Sequence, residues 1–186
     1  MKALAIAVVA GCALTSHSTP VQLRYFTPLA NTAPVVAPAA NAPATSLRLG
    51  RIVPSSLLRT RIVHRDSSVE LVPYETLRWS DPPETYVRRA LAHALFDTRA
   101  FDEAVGGNGP VLDVDVLAFE EDRRGDRRFG RVALGYELRS EDRVVSHGVV
   151  EVEREARSPQ IDAVVAAVGD ALSAASAELA HRLAAP

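Results

Sequence analysis

The sequence predicts an α+β fold: a mostly antiparallel sheet of five or six strands with two main helices packed on one face. Two observations carry that prediction. Several segments alternate apolar and polar residues with a period of two, as strands with one buried face do. Two others, opening at Pro82-Pro83 and at Pro159, repeat apolar residues at spacings of three and four, as amphipathic helices do. At 186 residues and 47% hydrophobic content, the chain is long enough for a single domain, residues 21–186, with a sizeable core.

Taken in order, Val21 to Phe26 reads as a short strand stopped by Thr27-Pro28. Residues 29–45 are rich in Ala, Pro and Asn, and Pro34, Pro38 and Pro43 interrupt both helix and ladder, so a mobile surface loop is expected. Leu47 to Val53 alternates as a half-buried strand and ends at Pro54. Thr60 to Arg65 and Ser68 to Pro73 form a hairpin around Asp66-Ser67. Ser80 or Asp81 is placed to cap a helix whose apolar stripe is Val87, Leu91, Ala94 and Leu95, running to about Asp97. Leu112, Val114, Val116 and Ala118 share one face of the next strand, and Asp113 and Asp115 the other. Val132, Leu134, Tyr136 and Leu138 repeat the pattern after a charged turn at 122–128. A second turn at 140–143 leads to the strand Val144 to Val152, completing an antiparallel meander. Ser158-Pro159 opens the last helix, where Ile161, Val165, Val168, Leu172, Ala175, Leu179 and Leu183 form a sustained apolar seam to cover the sheet.

Composition excludes several function classes. The formal charge is -2, and Arg is interleaved with Asp and Glu, so there is no basic stripe for a nucleic-acid backbone. Cys12 is the only cysteine, which rules out an internal disulfide and a multi-cysteine metal site. His17, His64, His93, His147 and His181 are scattered over different elements at no zinc spacing, so neither metal nor cofactor is expected. Asp113 and Asp115 read as solvent-face carboxylates rather than an acid–base pair. Gly106-Gly107-Asn108-Gly109 lacks the strand-to-helix setting of a phosphate loop, and no nucleophile elbow is present; no catalytic residue is predicted. Trp79, the only tryptophan, is expected to pack under the first helix, with a lipid or partner contact as its alternative role. Ala163, Ala166, Ala167, Ala171, Ala174, Ala177 and Ala180 would allow close approach of a neighbour, including a second copy in a homo-oligomer.

The amino terminus carries the sharpest signal. Met1-Lys2 precedes a short apolar run, Ala3 to Ala10, laid out as an export signal and too short to cross about 20 residues' depth of bilayer. It ends in Val9-Ala10-Gly11-Cys12, which resembles the lipobox of bacterial lipoproteins. Residues 1–11 are therefore expected to be a signal peptide, Cys12 the lipidated residue, and residues 12–20 a tether that holds the domain at a membrane by its acyl chains. Ala13 stands where Asp would be the common inner-membrane retention signal, which points to the outer membrane.

Leu47-Arg48-Leu49-Gly50-Arg51-Ile52-Val53-Pro54, then Arg61-Ile62-Val63-His64-Arg65, then Tyr74-Glu75-Thr76-Leu77-Arg78-Trp79 and the helix from Glu84 resemble, in order and spacing, the ABC-type transport auxiliary lipoprotein family. The resemblance runs from about Leu23 to the carboxyl end. It implies a periplasm-facing lipoprotein without chemistry of its own. Its implied partners are a mammalian-cell-entry (MCE) domain protein and the ABC transporter that moves lipids between the membranes.

Overall fold

The structure, a computed structural model, describes residues 21–29, 46–104, 106, 109–141 and 143–185. Cys12, the tether and residues 30–45 of the Ala/Pro segment lie outside them.

The chain is α+β, as expected, but the sheet is mixed and has eight strands rather than five or six antiparallel ones. Its centre is β6 (Val111–Arg124), which forms with β7 (Arg127–Ser140) and β8 (Arg143–Glu155) the expected antiparallel meander. The other edge of β6 takes two parallel strands laid end to end. β2 (Ser46–Pro54) pairs along Val111 to Val116, and β3 (Arg61–Arg65) pairs at Glu121 and Asp122. β3 forms the expected hairpin with β4 (Leu71–Trp79), which runs six residues past Pro73 and accepts β1 (Arg24–Phe26) in parallel. β5 (Asp102–Glu103) adds a two-residue pairing to β2. Period-two alternation shows which face of a strand is buried but not which strand it pairs with, so parallel crossovers through β3, β4 and a helix are invisible to it.

Both helices lie on one face. α1 (Pro83–Ala92) packs on β2 and β6, continues into a single wider π turn over His93–Asp97, and touches α2 (Ile161–Ala184), which covers β6, β7 and β8. The seam Val165, Val168, Leu172, Ala175 and Leu179 is buried against the sheet, with Ile161 and Leu183 partly so. α2 is long and apolar enough to cross a membrane, but in this fold most of that apolar surface is covered by the sheet. Neither expected cap forms. The N-cap residues are Pro82 and Gln160 without side-chain bonds, and Ser80 instead meets the Tyr86 hydroxyl at 2.9 Å, which also accepts the Asp81 amide at 2.8 Å.

A bulge in β6 changes the predicted facing. Val116 lies opposite Leu134 and Ala118 opposite Ala133, so Leu117 is the extra residue and the alternation restarts out of phase. Phe119 therefore continues the core row of Leu112, Val114 and Val116, whereas Ala118 does not. Trp79 is 1% exposed and sits edge-on to Phe119 at 5.2 Å and to Tyr86 at 6.4 Å between ring centres. Gly130 lets β7 and α2 touch backbone to backbone, because a Cβ there would overlap Ala167 and Val168.

Candidate functional site: the helix-free face of the sheet

The face of β6, β7 and β8 turned away from the helices carries polar groups and exposed apolar side chains, Leu117 and Val149 among them, side by side. Toward the amino-terminal half of β6 it forms an open trough of about 420 Å3 floored by Gly135 and walled by Val53, Leu117, Val149 and Asp115. The missing side chain at Gly135 makes the depression, with Leu117 Cδ1 in van der Waals reach of where its Cβ would be. Asp113 and Asp115 both line this trough, on the predicted face. Asp113 is engaged structurally: its carboxylate accepts the Arg51 amide at 2.7 Å, where β2 shifts register, and pairs with Arg139.

Toward the hairpin end the face becomes an ion ladder, and here the sequence reading needs correction. The supposed charged turn at 122–128 is mostly strand: β6 and β7 pair to Arg124 and Arg127, leaving only Gly125-Asp126 as the loop. Gly125 has φ of 60° at the first central position, as tight two-residue hairpins require. In consequence Glu120, Glu121 and Asp122 are drawn into the sheet and buried.

Glu120, at 0% exposure, accepts Arg65 Nε and Arg131 Nη1, each at 2.7 Å. Arg131 continues to Glu151 at 2.7 Å, and Arg124 joins Asp122 at 2.6 Å to Glu153 at 2.5 Å. Arg127 grips Glu155 with two bonds of 2.7 Å. The guanidinium of Arg131 holds the Glu151 carboxyl below the usual carboxylate range, and Arg127 does the same for Glu155. On the opposite side of β6, Glu121 accepts the Tyr74 hydroxyl at 2.5 Å and Arg123 Nε at 3.0 Å, with Arg128 Nε at 3.2 Å. Burial, reinforced by the Glu121 carboxylate, pushes the Tyr74 hydroxyl up to about 12. His64 stacks edge-on against Tyr74 at 4.8 Å and bonds Asp66 at 3.0 Å.

These carboxylates are saturated by guanidinium groups, which makes them girders of the sheet rather than free bases. Among the described residues no group of three His, Cys, Asp or Glu side chains converges as a metal set. His64, His93, His147 and His181 occupy β3, the π turn, β8 and α2, in keeping with their scatter in the sequence. Of the residues singled out from sequence, Trp79 is in the core beneath α1, remote from this face, and Cys12 is outside the described residues. The buried acids Glu120 and Glu121 were missed, although the Gly-Asp pair flanked by arginines is a readable two-residue hairpin signal.

The geometry of this face does not by itself name a role, and the sequence comparison supplies the family. The family model for the ABC-type transport auxiliary lipoprotein component matches residues 28–180. The chain belongs to that family. No curated protein matches the sequence. Among solved structures, the auxiliary lipoprotein fold is shared by a Xanthomonas campestris protein at 24% identity and TM-score 0.71, covering 84% of this chain and 92% of that one. An uncharacterized protein at 16% identity has a TM-score of 0.66, covering 87% of this chain and 99% of that one. A hypothetical protein from Chlamydia trachomatis, at 8% identity and TM-score 0.52, covers 76% and 96%. These likenesses speak to the fold. Family membership makes the chain an auxiliary lipoprotein, and a lipoprotein is held at a membrane by its acyl chains.

Proposed function

We propose that this auxiliary lipoprotein is a non-catalytic docking subunit of an MCE-type ABC lipid transport system, similar in role to paraquat-inducible protein C. It is anchored at the outer membrane through Cys12 and faces the periplasm. Family membership supports the transport context. What favours docking over carrying is the side-chain packing between sheet and helices. Trp79, Phe119, Leu91, Leu95, Leu112, Leu134, Leu172 and Leu179 all lie there at less than 2% exposure, packed as a side-chain core. A stand-alone lipid carrier needs an apolar cavity of some hundreds of Å3, roughly 300 or more. Among the described residues, the hollows beside β6 and beside α2 open to solvent instead.

Two measurements test this reading. Membrane fractionation should place the wild type with the outer membrane and remove Cys12→Ala from it; an inner-membrane wild type contradicts the outer-membrane assignment. Native mass spectrometry of the delipidated protein should show no retained phospholipid, whereas a stoichiometric bound lipid favours the carrier instead.

A further inference from the structure

We infer that the outer face of the β1–β4–β3 edge is a second membrane contact, one that lies flat on an anionic phospholipid surface beside the acyl anchor. This rests on the reading of Cys12 as the lipidated residue. The strand register builds the surface. Arg61 of β3 lies opposite Arg78 of β4, and Arg78 lies opposite Tyr25 of β1, so the three form one row across the sheet. Their neighbours Phe26 and Trp79 point to the core, which turns the row outward. Tyr25 is 63% exposed, and Leu23 and Val21 before it are 42% and 70% exposed. An aromatic ring and aliphatic side chains among guanidinium groups make the combination that settles at the headgroup level of a bilayer.

The edge is also cationic. β1, β3 and β4 together hold Arg24, Arg61, Arg65 and Arg78 against a single carboxylate, Glu75. Arg65 is neutralised by Glu120, but among the described residues Arg24, Arg61 and Arg78 have no acidic partner within 4 Å. Arg78 bonds only the carbonyls of Tyr74, Glu75 and Leu77, so Arg61 and Arg78 supply the row's charge, while Arg24 lies over the Phe26 ring on the other side of β1. On the hairpin end of the sheet, by contrast, Arg65, Arg123, Arg124, Arg127, Arg128 and Arg131 are all paired. An unneutralised cationic row attracts an anionic leaflet within a Debye length. Covalent reach agrees: β1 starts at Arg24, twelve residues after Cys12, and so lies within roughly 40 Å of the acylated cysteine.

The test uses the full-length acylated protein with Tyr25→Cys, whose thiol is the only free one because Cys12 is consumed by acylation, labelled with an environment-sensitive dye. Val145→Cys on β8, 58% exposed at the far side of the sheet, is the control. In vesicles of phosphatidylcholine with phosphatidylglycerol the Tyr25 dye should shift to the blue and lose access to a soluble quencher. High salt should reverse the shift, and the Val145 dye should not move. Phosphatidylcholine alone should give little shift, and adding Arg61→Gln and Arg78→Gln should remove at least half of the phosphatidylglycerol-dependent shift. An acylated intact mass with no lipid-dependent shift at Tyr25, or with equal shifts at both positions, overturns the contact and leaves the anchor standing. An intact mass without acyl chains overturns the anchor itself.

Discussion

Glu120 sits without solvent exposure between Arg65 and Arg131, each 2.7 Å away. Converting it to glutamine leaves two guanidinium groups facing a neutral amide at the centre of the sheet. Breaking a buried pair in this way costs about 3–5 kcal/mol. The lower end applies here, since Arg65 and Arg131 are 23% and 21% exposed and can turn toward water. Glu120→Gln should therefore lower the urea midpoint by the equivalent of about 3 kcal/mol without altering the m value. Tyr74 gives an independent reading of the same region. With its hydroxyl pushed up from 10 to about 12, the folded state favours the neutral phenol, so this contribution to stability is full below pH 10 and is lost as pH rises toward 12. Spectrophotometric titration of the four tyrosines should show one component near pH 12 that disappears in Tyr74→Phe. Glu120 was not legible as buried, because a run of charges, Glu120 to Arg124, ordinarily marks a solvated turn. Asp113 and Asp115 were legible, since alternation with Leu112, Val114 and Val116 fixes their face.

Among the elements, both helices and the meander β6–β7–β8 could be read from apolar period alone, and the α2 seam is buried or partly buried at every residue named from sequence. Their ends could not. Ser80, Asp81 and Ser158 have the chemistry of caps, but they lie upstream of the N-cap positions, Pro82 and Gln160, and neither of those makes a side-chain cap. The bulge at Leu117 was equally hidden: a one-residue slip leaves composition unchanged while moving Ala118 off the core row. Packing of α2 on β7 depends on Gly130, whose missing Cβ admits the backbone of Ala167 and Val168. Gly130→Ala should push α2 outward and cost about 1–3 kcal/mol as overpacking does. Thermal melting of that variant, read beside Gly125→Ala in the open hairpin turn, separates loss of space from loss of a positive φ, because nothing lies near a Cβ at 125.

For the whole molecule, fold class followed from local pattern, while topology did not. The parallel partnerships of β2 and β3 with β6 join segments about 60 residues apart, and no local signal encodes such a choice. The same division holds for function. Resemblance across residues 47–54, 61–65 and 74–79 led to the auxiliary lipoprotein family that the match over 28–180 establishes. The helix-free face and the cationic β1–β4–β3 edge emerged only when register brought distant residues into rows. The proposed docking role follows from family membership, which sets the transport context. Affinity purification of the full-length protein from native membranes, with mass spectrometry of what accompanies it and Cys12→Ala as control, tests that directly. Docking predicts an MCE-domain protein with the wild type and its loss with Cys12→Ala; an outer-membrane wild type that brings down no transporter component would contradict it.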